Sequence, residues 1–306
     1  MAPTPRVLGA GRARFVFLVH PLVRSARRLA ALRTGRVRLL ATDRPTIDDI
    51  AVYARIGFGE VEGVVVGLPL LPDELLADQA RALLWMERAV QIAAPVGHVG
   101  LGSVLAVVAG RGTALAEACG LPVTTGNAAT AWAATSITHR IAAGRPVAVL
   151  GGRGAVGRAV ADVLAADGLS VAVDPVDVSA YEVVVGAHTT GGVLAPSALH
   201  PRATLVDVAL PPTLSGPPPA GVTVLAGESV ALPEGWRRDV WGHLFHVVAG
   251  YGWTGVYACV LEPLIAARIG RETPFAQGRR LDVAAVRAFG AAAEHAGFHP
   301  RIRRLH

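Results

Sequence analysis

The stretch RPVAVLGGRGAVGRAVADVLAADGLSVAVDP, residues 145–175, decides the fold. An apolar run leads into Gly151, and further glycines stand at 152, 154 and 157. Apolar residues at helical spacing follow, and a second apolar run ends at Asp174. This pattern predicts a complete strand–helix–strand unit that carries the glycine fingerprint of dinucleotide-binding domains in its required context.

The glycines and the acid of this fingerprint have separate physical roles. Glycine lets the backbone approach a pyrophosphate, and the helix N-terminus supplies free amides and a positive dipole end. An acid at the end of the second strand accepts hydrogen bonds from the adenosine ribose hydroxyls. A glycine turn without a ligand is the less favoured alternative. The predicted cofactor-binding residues here are Gly151, Gly152, Arg153, Gly154, Ala155, Val156, Gly157 and Asp174.

Working outward from this unit, the chain divides into three segments. We predict an α/β fold with a mixed α/β N-terminal substrate domain over residues 1–143, a Rossmann-like parallel sheet over 144–236, and a helical C-terminal segment over 237–306. Only six residues separate Asp174 from Tyr181. A parallel crossover normally needs a dozen or more, so the second crossover helix of a full dinucleotide domain is predicted to be reduced to a turn.

Periodicity and β-branched runs predict the other elements. Predicted strands cover residues 14–20, 61–70, 181–187, 203–209 and 222–227. Predicted helices cover residues 72–97 and 124–145, the second with Asn127 as its N-cap.

Composition excludes several classes of protein and of chemistry. Apolar residues make up 52% of the chain and charged residues 17%, which excludes disorder as the main state. All 29 basic residues are arginine, so neither a lysine Schiff base nor a P-loop lysine is available. The two cysteines, Cys119 and Cys259, give no disulfide framework and no zinc spacing, which is typical of a reducing cytoplasm. No signal peptide, membrane span or nucleic-acid partner is expected.

Arginines crowd the front of the chain, among them Arg24, Arg27 and Arg28. The favoured interpretation of such a charge pattern is an ordinary solvated surface. The alternative is a docking face for an acidic partner.

Five stretches, in this order, resemble the cyanobacterial-type long-chain acyl-[acyl-carrier-protein] reductases. They are VGHVGLGSVLAVV (96–108), LPVTTGNAATAWAA (121–134), VAVLGGRGAVGRAVADVL (147–164), VDVALPPTL (206–214) and VYACVLEPLIAARIGR (256–271). The resemblance implies reduction of a fatty acyl thioester, carried by acyl carrier protein or coenzyme A, to an aldehyde with NADPH. It also implies that Cys259 takes up the acyl group, and it matches Glu262 to a glutamate of that family.

The residues themselves leave the role of Cys259 open. A free cysteine in an apolar helix is commonly a small core residue. Glycines at 250, 252 and 255 precede it and allow close backbone approach, and a place near the first turn of a helix favours the thiolate. Cys119 lies late in its predicted helix and is interpreted as packing.

Other groups are candidates to assist a nucleophile. Thr124, Thr125 and Asn127 at a helix start could supply hydrogen-bond donors to an oxyanion, with Thr124 also near the cofactor, or could simply cap the helix. His20, after a strand, lies where the family places a histidine and is the leading candidate for proton transfer. His243 and His246 share a helix face, but no third ligand is evident and no metal site is predicted.

Three departures from the family pattern affect cofactor and substrate. Ala129 stands where the family often has a histidine, Asp174 stands where it tends to have arginine, and the following segment is shorter. Asp174 favours NADH, whereas Arg153 could bind the 2′-phosphate of NADPH. Two other functions stay open: another NAD(P)-dependent dehydrogenase on a shikimate- or amino-acid-dehydrogenase-like scaffold, and a non-catalytic dinucleotide-binding partner protein.

Overall fold

A computed structural model describes residues 14–36, 38–41, 44–239 and 254–305. The strands are β1 (Arg14–Val19), β2 (Ala51–Phe58), β3 (Val61–Gly67), β4 (His98–Leu101), β5 (Val123–Thr124), β6 (Val147–Leu150), β7 (Val171–Val173), β8 (Val183–Gly186), β9 (Thr204–Asp207), β10 (Thr223–Ala226), β11 (Ser229–Ala231), β12 (Trp236–Arg238), β13 (Gly255–Tyr257) and β14 (His299–Pro300). The helices of this part are α1 (Arg24–Thr34), α2 (Arg38–Ala41), α3 (Pro72–Ala77), α4 (Gln79–Ala93), α5 (Thr113–Cys119), α6 (Asn127–Ala142), α7 (Ala155–Ala166), α8 (Ala258–Arg268) and α9 (Val283–His295).

The first sheet has six strands in the order β12-β2-β3-β1-β4-β5. Strands β3, β1, β4 and β5 are parallel, and β2 and β12 add antiparallel pairs at one edge. Strands such as β1, RFVFLV, are buried on both faces because helices cover both sides, which is why they are continuous apolar runs. One face packs against α4 and its neighbours, and the other packs against α8.

The second sheet has five parallel strands in the order β10-β9-β8-β6-β7. Helix α7 is the crossover between β6 and β7, as the sequence predicts. Between β7 and β8 the described chain has only a single 3₁₀ turn over Val178–Ala180, so the predicted loss of the second crossover helix is confirmed. Helix α6 packs against α7, α8 and α9, and its buried residues share one core with both large sheets.

A third, three-stranded sheet joins distant parts of the chain in the order β13-β11-β14, with antiparallel pairs. It places the start of α8 beside the end of the second sheet. The C-terminal segment predicted to be helical therefore also contributes strands β13 and β14, and β12, at the predicted boundary near residue 236, belongs to the first sheet.

Two predicted helices have different bounds in the structure. The helix predicted over 72–97 is broken at Asp78, where the backbone leaves helical geometry and the carboxylate accepts a 2.9 Å hydrogen bond from the Arg81 amide. Asp78 thus caps α4 and starts a new helix. Asn127 is the first residue of α6 and not its N-cap, because Gly126 occupies that position with φ +75°.

Candidate active site

The glycine loop after β6 is packed so tightly that side chains have no room. A Cβ at Gly157 would collide with the carbonyl oxygen of Gly151, and one at Gly152 would collide with Val173. Gly157 sits in the first turn of α7, so the helix N-terminus and the loop are held in close contact. Arg153 is exposed at the tip of the loop. The loop can therefore present backbone to a ligand, as a dinucleotide site requires.

The strand order places this loop at the topological switch point of the second sheet, where the connections from successive strands run to opposite sides. Strand β6 lies between β7 and β8, so consecutive strands lie on its two sides. Gly151 follows β6 and approaches the backbone after β8, since a Cβ added to it would lie 2.7 Å from the Ala187 oxygen. Ligands of open α/β sheets bind outside the carboxyl ends of strands at such a switch point.

Asp174, at the end of β7, closes the side of the loop. Its Oδ1 accepts hydrogen bonds from the backbone amides of Gly151, at 2.7 Å, and Gly152, at 3.3 Å. The residue is exposed and adopts a positive φ of 46°. The carboxylate thus lies at the mouth of the loop and is held there by two loop amides.

Cys259 is the second residue of α8, in its first turn and half-buried. Its side chain packs against Gly126, since a Cβ at Gly126 would lie only 2.5 Å from the Cys259 Cβ. The Thr-Thr-Gly-Asn stretch and the cysteine-bearing helix therefore meet at their N-terminal ends. Of the glycines before the cysteine, Gly255 is in β13, and those at 250 and 252 lie outside the described residues.

Glu262, one turn after Cys259, connects the two helices. It is fully buried, its Oε1 accepts a hydrogen bond from the Thr124 hydroxyl, and its Oε2 accepts one from the Ala129 amide at 3.0 Å. Burial raises the pKa of Glu262 to about 7, against the lowering effect of these hydrogen bonds. Helix α6 has no side-chain cap of its own, so a carboxyl from α8 satisfies its first turn.

The thiol of Cys259 does not have the lowered pKa that its place at a helix start predicts. Burial, followed by the charges of Glu228 and Glu262, raises the pKa of Cys259 well above its ordinary value. The amides of Val260 and Cys259 act in the opposite direction, as a helix N-terminus should, but they are outweighed. The resting side chain is therefore a thiol, and reaction through sulfur needs a base nearby.

The hydroxyls predicted as oxyanion donors are engaged elsewhere. Thr124 donates to Glu262, and Thr125 is buried with both its amide, at 3.0 Å, and its hydroxyl, at 3.4 Å, on the Ala276 oxygen. Asn127 is half-buried at the first turn of α6. The structure thus brings Thr124, Thr125 and Asn127 next to Cys259 through Gly126, with the threonines positioning the helices.

His20 is a satisfied buried histidine. Its Nδ1 faces the Pro21 oxygen at 3.1 Å, and its Nε2 accepts a hydrogen bond from the Val104 amide at 3.2 Å. Burial lowers its pKa to about 4. Both ring nitrogens are engaged in hydrogen bonds with backbone groups, so in this conformation neither is available to transfer a proton. His243 and His246 lie outside the described residues.

Sequence reasoning missed two buried acids, Asp207 and Glu228. Asp207 ends β9 and binds the Thr213 amide at 2.9 Å and hydroxyl at 2.7 Å, and burial raises its pKa. Glu228 precedes β11, and burial, together with the charge of Asp207, raises its pKa to about 8. The signal was present, because the apolar run VTVLAGESVAL holds a single glutamate among buried residues.

The arginine patch at the front of the chain is divided by the structure. Arg27 is buried, and its guanidinium donates to Glu74 at 3.1 Å and to the Pro69 oxygen at 3.4 Å. It therefore cannot belong to a docking face. Arg24 and Arg28 are exposed, beside the exposed apolar side chains of Val23 and Leu29.

A cavity of about 470 Å³ lies at the start of β1 and is lined by Arg14, Arg55, Arg237 and Arg238, but none of the candidate site residues lines it. Three or more His, Cys, Asp or Glu side chains placed to hold a metal do not occur among the described residues. The described helices are also too short or too polar to cross a membrane.

Comparison with known proteins gives a distant relative and weak structural likenesses. No protein-family model matches the chain. It is 28% identical over 280 residues to the aminotransferase PigE of Serratia sp. (strain ATCC 39006), a match that covers 78% of this chain. The chain spans about a third of the length of that relative, 32%.

Two solved structures are similar at low TM-scores. One is a 5,10-methylenetetrahydrofolate dehydrogenase from the silkworm Bombyx mori, with a TM-score of 0.31, 14% identity, and coverage of 70% of this chain and 80% of that one. The other is a glyoxylate reductase from Paecilomyes thermophila, with a TM-score of 0.24, 12% identity, and coverage of 64% and 74%. Scores this low do not establish a common function or cofactor.

Proposed function

We propose that this chain is an NAD(P)H-dependent reductase that converts an acyl thioester to an aldehyde through an acyl-enzyme on Cys259. The observation that carries the proposal is the meeting of Cys259 with Gly126. A half-buried thiol at the start of α8 faces a residue with no side chain, at the start of α6. Two acids, Glu228 and Glu262, act electrostatically on that thiol.

The glycine loop fits a nicotinamide dinucleotide. Gly152 and Gly157 leave no room for a Cβ, and Asp174 lies at the loop mouth. In this proposal, the backbone of the loop and the first turn of α7 hold the pyrophosphate, and Asp174 binds the adenosine ribose. The bound, reduced nicotinamide would supply the hydride that brings the acyl group to the aldehyde level.

The residues of the chain would perform the acyl transfer. The Cys259 sulfur attacks the carbonyl carbon, the bond from that carbon to the carrier sulfur breaks, and the carrier sulfur leaves with the electron pair and takes up a proton. Amides of Cys259 and Val260 stabilise the sulfur while it is anionic. Asn127, half-buried at the start of α6, is the side-chain donor for the carbonyl oxygen.

The name of the distant relative does not transfer directly. Aminotransferases that use pyridoxal phosphate hold it as a Schiff base on lysine, and these 306 residues contain no lysine. The part of that relative that this chain matches is about a third of its length. A reductase that releases an aldehyde is compatible with such a relative, because an aldehyde is a carbonyl substrate for amination.

Intact-mass spectrometry tests the proposal. The protein is mixed with acyl-coenzyme A or with acylated carrier protein, without dinucleotide. We expect the wild type and Cys119→Ala to gain the mass of one acyl group, and Cys259→Ala to gain none. Oxidoreductase activity that persists in Cys259→Ala would instead indicate a dehydrogenase without a nucleophile. Dinucleotide binding with no turnover and no adduct would indicate a non-catalytic partner protein.

A further inference from the structure

Glu228 is a buried acid near Cys259, and the acyl transfer proposed for Cys259 assigns it no step. Its backbone oxygen accepts a 2.9 Å hydrogen bond from the amide of Ala258, the residue before Cys259. The register of β11 and β13, in which Ser229 pairs with Tyr257, fixes this position. The sheet therefore holds Glu228 directly across from the first residue of α8.

The charged surroundings of Glu228 connect the two halves of the site. Asp207, at the end of β9, raises the pKa of Glu228, and Glu228 in turn raises the pKa values of Tyr257 and Cys259. The charge of His188, which follows β8 beside the glycine loop, acts in the opposite direction and lowers the pKa of Asp207. The amide of Gly227 donates a 2.8 Å hydrogen bond to the backbone oxygen of Asp207, so Glu228 lies between the carboxyl end of the second sheet and the start of α8.

Glu262, the other acid near the thiol, is already committed. Its two oxygens accept hydrogen bonds from Thr124 and Ala129, which fix it as the cap of α6. Moving its proton would disturb a helix start. Glu228 precedes β11 and lies outside the contact between Glu262, Thr124 and Ala129 that caps α6.

We propose, on the basis of the proposed function, that Glu228 is the proton-transfer group of the acylation step. Its carboxylate takes the proton from the Cys259 thiol as the bond between sulfur and the acyl carbon forms. The resulting carboxylic acid gives that proton to the carrier sulfur as the carbon–sulfur bond to the carrier breaks. Glu228 returns to the carboxylate, so protons and electron pairs balance, and no oxidant or reductant is consumed.

This assignment resolves the high thiol pKa at Cys259. A nucleophile that rests as a thiol needs a base whose pKa lies near the working pH, and burial raises the pKa of Glu228 to about 8. The same group then serves as the acid for a leaving thiolate. A thiol that was already ionised would need no such partner.

The test compares two reactions of Cys259 in a Cys119→Ala background. Alkylation by iodoacetamide expels iodide, which needs no proton, whereas acylation by acyl-coenzyme A expels a thiolate, which does. We expect Glu228→Gln to be alkylated several-fold faster at pH 9, where Glu228 is mostly a carboxylate in the wild type, because a neighbouring negative charge is gone. We expect its acylation without dinucleotide to be slower by about a hundredfold, the low end for acid–base catalysis.

The controls separate proton transfer from folding. Glu234→Gln, an exposed acid six residues on, should match the wild type in both reactions. Glu228→Asp keeps the carboxyl and should recover part of the acylation rate, and circular dichroism with dinucleotide binding checks that the variants fold.

Two outcomes would overturn the proposal. Wild-type acylation rate and pH dependence in Glu228→Gln would remove the proton-transfer role, and unchanged alkylation at pH 9 would remove the electrostatic effect of Glu228 on Cys259. Glu228→Asp decides the same two points if the glutamine variant does not fold. If the wild type accepts no acyl group, the proposed function is what fails, and the alkylation rates still report on the pair.

Discussion

The Oε2 of Glu262 lies 3.0 Å from the amide nitrogen of Ala129, so a carboxyl from α8 caps the first turn of α6. The contact crosses 133 positions in sequence and fixes the turn that carries Cys259 against Gly126. One buried contact therefore both caps α6 and positions the turn that carries Cys259.

Removal of this cap should cost stability. We expect Glu262→Ala to lower the free energy of unfolding by about 1–3 kcal/mol, because buried donors on Ala129 and Thr124 lose their acceptor. Denaturant titration measures the change. Glu234→Ala, an exposed site, is the control and should stay within about 0.5 kcal/mol of the wild type. An equally small effect at Glu262 would mean that α6 does not need its cap.

Gly126 and Gly120 form a matched pair for testing contact with the cysteine. Both have a positive φ, +75° and +66°, so alanine at either site should cost about 1–2 kcal/mol of backbone strain. Only at Gly126 would the new Cβ meet Cys259, since nothing lies within 4 Å of one at Gly120. We expect Gly126→Ala alone to slow the alkylation of Cys259 by more than tenfold. Equal rates in the two variants would contradict the packing described here.

The two buried acids make stability depend on pH with a predictable sign. Folding raises the pKa of Glu228 from 4.5 to about 8 and that of Glu262 to about 7, which favours the protonated forms. Their contribution is fully present below about pH 4.5 and is lost as pH rises through the folded values. His20, lowered to about 4, acts oppositely but only up to its ordinary value of 6.5.

The comparison of wild type with Glu228→Gln isolates one acid. The wild-type free energy of unfolding, measured relative to the variant, should fall between pH 5 and pH 8, by a few kcal/mol at most. Urea melts of both proteins across this range give the difference. A difference that does not vary with pH would show that Glu228 titrates normally in the folded protein.

Cofactor preference tests the role of Asp174. Because its carboxylate lies at the mouth of the glycine loop, it should repel a 2′-phosphate, and NADH should be used at least as well as NADPH. Asp174→Ala should shift kcat/KM towards NADPH. A wild-type preference for NADPH of well over tenfold, about 1.4 kcal/mol, would contradict this and would favour the exposed Arg153 as the phosphate ligand.

Charge reversal separates buried from exposed arginines on α1. Arg27→Glu should destabilise the fold by about 3 kcal/mol or more, because it places a second acid beside Glu74 in a buried site. Arg28→Glu should leave stability unchanged and raise the KM for an acidic carrier-protein donor at low salt, with less change for a coenzyme A donor. An unchanged KM would leave this face as ordinary surface.

Local patterns in the sequence predicted the strand–helix–strand unit around the glycine loop well. The strand, glycine loop, helix and strand from Val147 to Val173 are encoded by consecutive residues whose spacing directly reflects their geometry. The short connection to the next strand limited what could lie there, and a single turn is found. The break at Asp78 was missed because the apolar periodicity continues across it.

The candidate site could be predicted only in pieces. The thiol at the start of a helix was foreseen, but its raised pKa was not, because the pKa depends first on burial of the thiol and then on the charges of Glu228, which precedes β11, and Glu262, which lies one turn further along α8. Thr124 and Thr125 were predicted to donate to a ligand, but their hydroxyls donate to Glu262 and to the Ala276 oxygen. Tertiary partners of this kind leave no periodic trace in a sequence.

Strand β12 has a consequence for the biogenesis of the protein. Its residues 236–238 pair with 56–58 of β2. The edge of the first sheet therefore cannot be completed until about 180 further residues have been synthesised. Helix α8, which covers one face of that sheet, arrives later still. Nascent chains that end before residue 236 therefore expose an unpaired strand edge and an uncovered apolar face, the features that recruit chaperones and promote aggregation.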